Sequence, residues 1–182
     1  MNLIKNDLTI RNTLPSDAEQ LCLWWNDGSI MAHAGFPEGL NTTAEEIRES
    51  LSKDSDETRR RHIIEYKGSP IGEMNYRNKG KGIAEIGIKI CESGKHDKGL
   101  GTTLLSMFID ALFNCPGFIE IILDTNINNK RAQHVYENKL GFKVAGESKW
   151  QDRSGKTQYS IHYLLTKENW FARSEKPECS SL

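Results

Sequence analysis

What this chain can fold into is set most sharply by the stretch from Ala84 to Leu123. Ala84-Glu85-Ile86-Gly87-Ile88-Lys89-Ile90 alternates apolar and polar or small residues, the period-two pattern of a strand. Leu100, Leu104, Leu105, Phe108, Ala111 and Leu112 then recur at helical spacing and predict an amphipathic helix over Gly99 to Asn114. Pro116-Gly117 stops it, and Ile119-Glu120-Ile121-Ile122-Leu123 follows as a nearly continuous apolar run. Such a run suits a strand covered on both faces. Strand, long helix and buried strand in succession place the chain in the α/β class.

The flanking segments extend that frame. Leu8 to Arg11 reads as a first strand. Ser16 with Glu19 has capping-box spacing, and Ala18, Leu21, Cys22 and Trp25 form the apolar stripe of a helix that ends at Asn26-Asp27-Gly28. Residues 28–42 look irregular. Thr43 with Glu46 is a second capping box, opening a helix to about Lys53. Arg61 to Tyr66 and Ile71 to Arg77 read as a hairpin around Lys67-Gly68-Ser69-Pro70. Lys130 to Asn138 is predicted helical, and Phe142 to Ser148 and Gln158 to Leu165 are predicted strands. The fold class expected is one mixed α/β (α+β) sheet in a single domain over residues 1–172, with a polar tail over 173–182.

Composition removes several function classes. With 24 basic and 25 acidic residues and a net charge of −1, bulk electrostatics points to no nucleic acid and no membrane partner. No run reaches the ~18 apolar residues of a spanning helix, and the N-terminus lacks the apolar core of a secretory signal. Cys22, Cys91, Cys115 and Cys179 form no CxxC pair, so no metal site is expected and a reducing cytoplasm is the expected location.

Two segments carry chemistry. Gly94-Lys95-His96-Asp97-Lys98-Gly99-Leu100-Gly101-Thr102 joins the Ala84–Ile90 strand to the long helix. Amides at a helix start are unpaired and carry partial positive charge, and glycines let an anion approach them closely. The segment is not a P-loop, because Leu100 stands where the lysine belongs, and not a dinucleotide fingerprint, because Leu104 stands where the third glycine belongs. A plain structural turn explains the same residues. The second segment, Asp124 to Phe142, places Asn126, Asn128 and Asn129 at the end of the buried strand, where open α/β sheets hold ligands. The plain alternative is that they cap the next helix and fill its turn. Asn129 and Tyr136 lie two helical turns apart, on one face.

Together the two segments resemble the GNAT superfamily of acyl-CoA N-acyltransferases, over roughly residues 8–165. The family's Gln/Arg-x-x-Gly-x-Gly/Ala loop stands here as His96-x-x-Gly99-x-Gly101, with histidine in the first place. Its second pattern stands as Asn129, Ala132, Tyr136 and Leu140-Gly141-Phe142, with one residue more than usual between Tyr136 and Gly141. The resemblance implies a splayed central sheet holding acetyl-CoA as co-substrate. It implies that the strand Glu85–Ile90, with Ile88, Lys89 and Ile90 at its end, hydrogen-bonds the pantetheine and polarises the thioester carbonyl. It implies that His96 and the amides of Asp97, Lys98, Gly99, Leu100, Gly101 and Thr102 surround the pyrophosphate. Asn126, Asn129 and Ala132 would line the pantetheine arm, and Tyr136 would protonate the leaving thiolate.

Direct aminolysis needs a neutral amine, and an alkyl amine with pKa ~10 is mostly protonated at pH 7. The bases available are Glu85 and Glu73 on adjacent strands. Glu85 is preferred because it precedes the thioester-binding segment; a solvent-facing strand carboxylate is the alternative. Charge is segregated: residues 38–57 hold seven acids against two bases, and residues 59–98 hold ten bases against five acids. The first suits a cationic amine and the second the phosphates of coenzyme A; a solvated helix face is the plainer explanation of the acids. Arg59-Arg60-Arg61 reads as a solvated strand start. Trp25 falls on the core stripe of its helix and Trp24 off it, free to line an acceptor pocket or to pack.

Within the superfamily the chain looks closest to ribosomal-protein alanine acetyltransferases and aminoglycoside 6′-N-acetyltransferases. The second group tends to carry an aspartate base where Gly87 stands here. The expected activity is acetyl transfer to a primary amine of a small cationic molecule such as an aminoglycoside or polyamine. Acetylation of a protein N-terminus and acyl-CoA sensing without catalysis stay open as alternatives. A homodimer is the assembly kept open.

Overall fold

The computed structural model describes residues 1–92, 99–114 and 117–174. Eight strands form one sheet: β1 (Asn2–Lys5), β2 (Leu8–Asn12), β3 (Arg59–Tyr66), β4 (Ser69–Asn78), β5 (Ile83–Ile90), β6 (Glu120–Asn126), β7 (Lys143–Gln151) and β8 (Thr157–Thr166). Their spatial order is β1-β2-β3-β4-β5-β6-β8-β7. Neighbours are antiparallel except β5 and β6, which run parallel. That pair is the one joined through the long helix α4 (Leu100–Asn114), as a parallel connection requires. The other helices are α1 (Ala18–Asn26), α2 (Gly28–Met31), α3 (Ala44–Leu51), α5 (Lys130–His134) and α6 (Lys167–Ser174).

The sheet is covered on both faces, and β3 shows how. Ile64 joins a core with Leu104, Leu105, Phe108 and Phe113 of α4, while its neighbour Ile63 joins a second core with Leu21 and Trp24 of α1 and Ile47 and Leu51 of α3. Strand alternation sends successive side chains to opposite faces. Phe108 and Phe113 are fully buried, and each such side chain contributes about 1.5–3 kcal/mol.

Thr43 caps α3 as its spacing implies: its side chain accepts from the Glu46 amide, and the Glu46 carboxylate accepts from the Thr43 amide. The expected Ser16–Glu19 box is not made. Asp17 accepts from the Leu14 amide at 2.7 Å and is gripped by two nitrogens of Arg11. Within α1, Trp24 is the buried tryptophan and Trp25 is half-buried, the reverse of the stripe's assignment. Arg61 is not solvated either. It is 5% exposed and donates to Asp54 and to Ser50, because the turn after α3 folds that carboxylate over the strand start.

Lys130 begins a longer helix than expected. After α5 the backbone widens into a π-helical turn over Val135–Leu140, closed by Gly141 in the left-handed region. The Tyr136 carbonyl accepts from both the Gly141 and the Phe142 amides. A wider turn takes up one additional residue, which accounts for the extra residue between Tyr136 and Gly141. Tyr136 and Phe142 remain packed, with ring centroids 5.9 Å apart. The sequence also left α6 unassigned. It runs to Ser174, past the expected domain boundary, and its Trp170 indole donates to Asp110 of α4 at 2.6 Å.

Candidate active site

The site arises where β5 and β6 part company. They are paired only from Ile83 to Glu85, opposite Glu120 to Ile122. Beyond Glu85 the strands diverge, leaving the β5 edge around Ile86, Gly87 and Ile88 without a strand partner on the β6 side. The cleft between them has a volume of about 1070 Å³ and is lined by β5, the first turn of α4, the end of β6 and the helix carrying Tyr136.

Gly99, with φ +69°, adopts a backbone that only glycine enters without strain, and α4 starts directly after it. Among the described residues the first bond into the helix runs from the Thr103 amide to the Gly99 carbonyl, which puts the amides of Leu100, Gly101 and Thr102 in its opening turn. Among the described residues a Cβ placed on Gly101 would meet only Ile90 Cδ1, at 3.8 Å, so they leave space against the helix start. An anion fits there, held by amides and the helix dipole. Adjoining it, unpaired strand edge suits a ligand that carries amides of its own. These residues fit the diphosphate and pantetheine arm of coenzyme A. His96, Asp97 and Lys98 lie outside the described residues.

The remaining expected site residues are brought to this cleft. Glu85, Ile88, Lys89, Ile90, Gly99, Gly101, Thr102, Asn126, Asn129, Ala132 and Tyr136 all line it, with Leu100 between two of them at the helix start. Glu85 sits at the apex of the fork. Its carboxylate pairs with Arg77 at 3.3 Å and Lys79 at 2.9 Å. Tyr136 is 8% exposed, and burial pushes its hydroxyl up to about 12. Among the described residues that hydroxyl has no hydrogen-bond partner, whereas the neighbouring Tyr163 hydroxyl donates to Glu137 at 2.7 Å. Two of the asparagines hold the turn, as their plain alternative has it. Asn126 donates to Gln158 and accepts from the Asn128 amide, and Asn129 Oδ1 accepts from the Ala132 amide at 3.1 Å.

Glu73, the second candidate base, is buried and engaged. Its Oε1 accepts from the Trp25 indole at 3.0 Å and from Lys89 Nζ at 3.2 Å. Cys91 lies in the cleft wall, and burial pushes its thiol up to about 12, so it is no nucleophile near neutral pH.

Sequence reasoning missed the near wall. Residues 28–42 are not featureless: Ser29, Ile30 and Ala34 line the cleft, and Trp150 of β7 reaches across the sheet to pack against Gly35. The tryptophan indole donates to Ser160 at 2.9 Å. The acidic stretch does not build this wall. None of its seven acids lines the cleft, and five are held within the chain: Glu45 by Arg48, Glu46 in the α3 cap, Glu49 by Lys53, Asp54 by Arg61 and Asp56 by Arg60.

Known proteins share this arrangement. A family model described as "Acetyltransferase (GNAT) domain" matches residues 7–143. The aminoglycoside N(6′)-acetyltransferase type 1 of Klebsiella pneumoniae is 29% identical over 154 residues, covering 78% of this chain and 76% of its own length. A spermidine N-acetyltransferase from Vibrio cholerae, crystallised with CoA and spermine, superposes with a TM-score of 0.81 at 23% identity over 92% of this chain and 99% of its own. An aminoglycoside acetyltransferase crystallised with ribostamycin and coenzyme A gives a TM-score of 0.74 at 24% identity over 93% of this chain and 98% of its own. A forked sheet open at a glycine-flanked helix start, with that family model spanning most of the sequence, makes the chain a member of the GNAT acetyltransferases, which draw their acetyl group from acetyl-CoA.

Proposed function

We propose that the protein transfers the acetyl group of acetyl-CoA to a primary amine of a small cationic molecule, of the aminoglycoside or polyamine kind, by direct attack in a ternary complex. The observation that carries this reading is the fork beyond Glu85, opening onto the first turn of α4. The inert Cys91 thiol favours direct attack over an acyl-enzyme. The Klebsiella and Vibrio relatives favour the acceptor class, since one is named for aminoglycosides and the other holds spermine.

The chain's own residues divide the work. The amides of Leu100, Gly101 and Thr102 hold the diphosphate. The free edge of β5 binds the pantetheine and donates to the thioester carbonyl. Glu85, paired with Arg77 and Lys79, takes the ammonium proton through water. Tyr136 donates to the departing sulfur. A homodimer belongs to the same reading and is checked by sedimentation.

Thermal shift with acetyl-CoA, followed by free-thiol release with an amine panel, tests it. Stabilisation by acetyl-CoA and turnover of at least one small cationic amine are expected. No stabilisation at millimolar acetyl-CoA refutes the cleft as its site, and stabilisation with no turnover on any amine replaces the enzyme by a sensor.

A further inference from the structure

We propose that Asn75 positions the acceptor amine, and that it does so as a neutral group between two already-closed ion pairs; this rests on the acetyltransfer reading above. On one face of β4 stand Glu73, Asn75 and Arg77, and opposite them in register on β5 stand Lys89, Gly87 and Glu85. The outer two cross-strand pairs are complete, Glu73 with Lys89 at 3.2 Å and Arg77 with Glu85 at 3.3 Å. The central pair is not. Gly87 offers no side chain, and the Asn75 amide nitrogen sits 3.0 Å from where a Cβ on Gly87 would be. Asn75 is half-buried and lines the cleft, and its carboxamide has no hydrogen-bond partner among the described residues. A half-buried amide with unmet capacity, over a gap left by glycine, is a place for a ligand's polar group.

The chemistry of an amide fits the reacting end of an amine. Asn75 Oδ1 accepts an N–H and holds the nitrogen while leaving its lone pair for the thioester. A carboxylate at the same place would favour the ammonium form and oppose proton loss. Glu73 and Glu85 do not supply a free carboxylate beside it, because Lys89, Arg77 and Lys79 already serve as their counter-ions. The reacting nitrogen is therefore met by a neutral acceptor, and any further positive charges of the substrate lie outside this niche.

Asn75→Ala and the isosteric Asn75→Asp test this by free-thiol release, with spermine and kanamycin as probes and the faster of the two for kinetics. For N75A the acceptor KM is expected to rise about five- to tenfold, the loss of one neutral hydrogen bond, with the acetyl-CoA KM unchanged. For N75D the acid limb of kcat/KM is expected to move to higher pH, a change that altered packing alone would not produce. An unchanged acceptor KM in N75A, a rise in the acetyl-CoA KM instead, or an N75D profile identical to wild type overturns the inference. If the wild type turns over neither probe, the acceptor class falls first and the inference with it.

Discussion

Removing one oxygen from Tyr136 is the most informative perturbation of the proposed chemistry. Burial raises the hydroxyl to about 12, while an alkyl thiol titrates near ~8.5, so complete proton transfer to the sulfur is uphill by roughly 3.5 in pKa, on the order of 5 kcal/mol. On the proposed mechanism the hydroxyl therefore acts by donating a hydrogen bond to charge developing on sulfur. A hydrogen bond to a charged partner contributes about 1.5–3 kcal/mol, which is about 10- to 150-fold in rate at 1.4 kcal/mol per tenfold. Tyr136→Phe is expected to lower kcat by that factor. The KM for acetyl-CoA should hold within about twofold, because the ring contacts to Phe142 and Tyr163 at 5.9 and 5.5 Å persist. Stability should hold too, since the lost hydroxyl has no hydrogen bond to give up among the described residues. Free-thiol release across pH 6–10, with a thermal melt of each variant, measures all three. Full kcat in Tyr136→Phe at every pH removes the residue from the mechanism. A wild-type alkaline limb that disappears in the variant would show instead that the hydroxyl ionises within this range, against its burial.

Two further perturbations probe the helix start and the core. Gly101→Val puts a branched side chain into the space beside α4, where among the described residues a Cβ meets only Ile90. Calorimetric titration should show acetyl-CoA binding at least about tenfold weaker with little change in Tm, about the loss of one to two charge-assisted hydrogen bonds; binding within twofold of wild type would move the diphosphate elsewhere. His62 is fully buried, neither ring nitrogen makes a well-formed hydrogen bond among the described residues, and desolvation lowers its pKa from 6.5 to about 4. The folded state binds fewer protons than the unfolded one between those values, so stability is present above pH 6.5 and is lost as pH falls to about 4, by about 3 kcal/mol. Urea midpoints over that range should fall in the wild type and fall less in His62→Leu. Equal slopes in the two would assign the acid sensitivity to other groups.

The parts of this fold that repeat along the chain could be read from it. The period of Ala84–Ile90, the stripe of α4 and the Thr43–Glu46 cap are local patterns, each written within a few residues, and each is made. The glycines of the α4 start were legible for the same reason. What escaped depends on partners distant in sequence. Arg61 looked like a solvated strand start because the carboxylate that buries it, Asp54, is delivered by the turn after α3. The acids of residues 38–57 left a cation site open beside a solvated face because sequence counts charges without their counter-ions. The departure between Tyr136 and Gly141 was visible as a number, but only the widened helical turn shows how it is accommodated.

The polarity of the cleft belongs to the second kind, and it shows why charge counting misplaces a site. Glu73, Asn75 and Arg77 alternate on β4 as any polar strand face does, and nothing in that strand says which side chain is available. Availability is decided across the gap to β5, one register position at a time: lysine cancels one carboxylate, arginine cancels another, and glycine leaves the amide between them open. A one-residue slip of β4 against β5 would keep every charge and remove this arrangement. On this proposal recognition is a property of register, and Met74 and Ile86 of the core beneath anchor the two strands, so a substitution that shifts them would lose acceptor selectivity before it lost the fold.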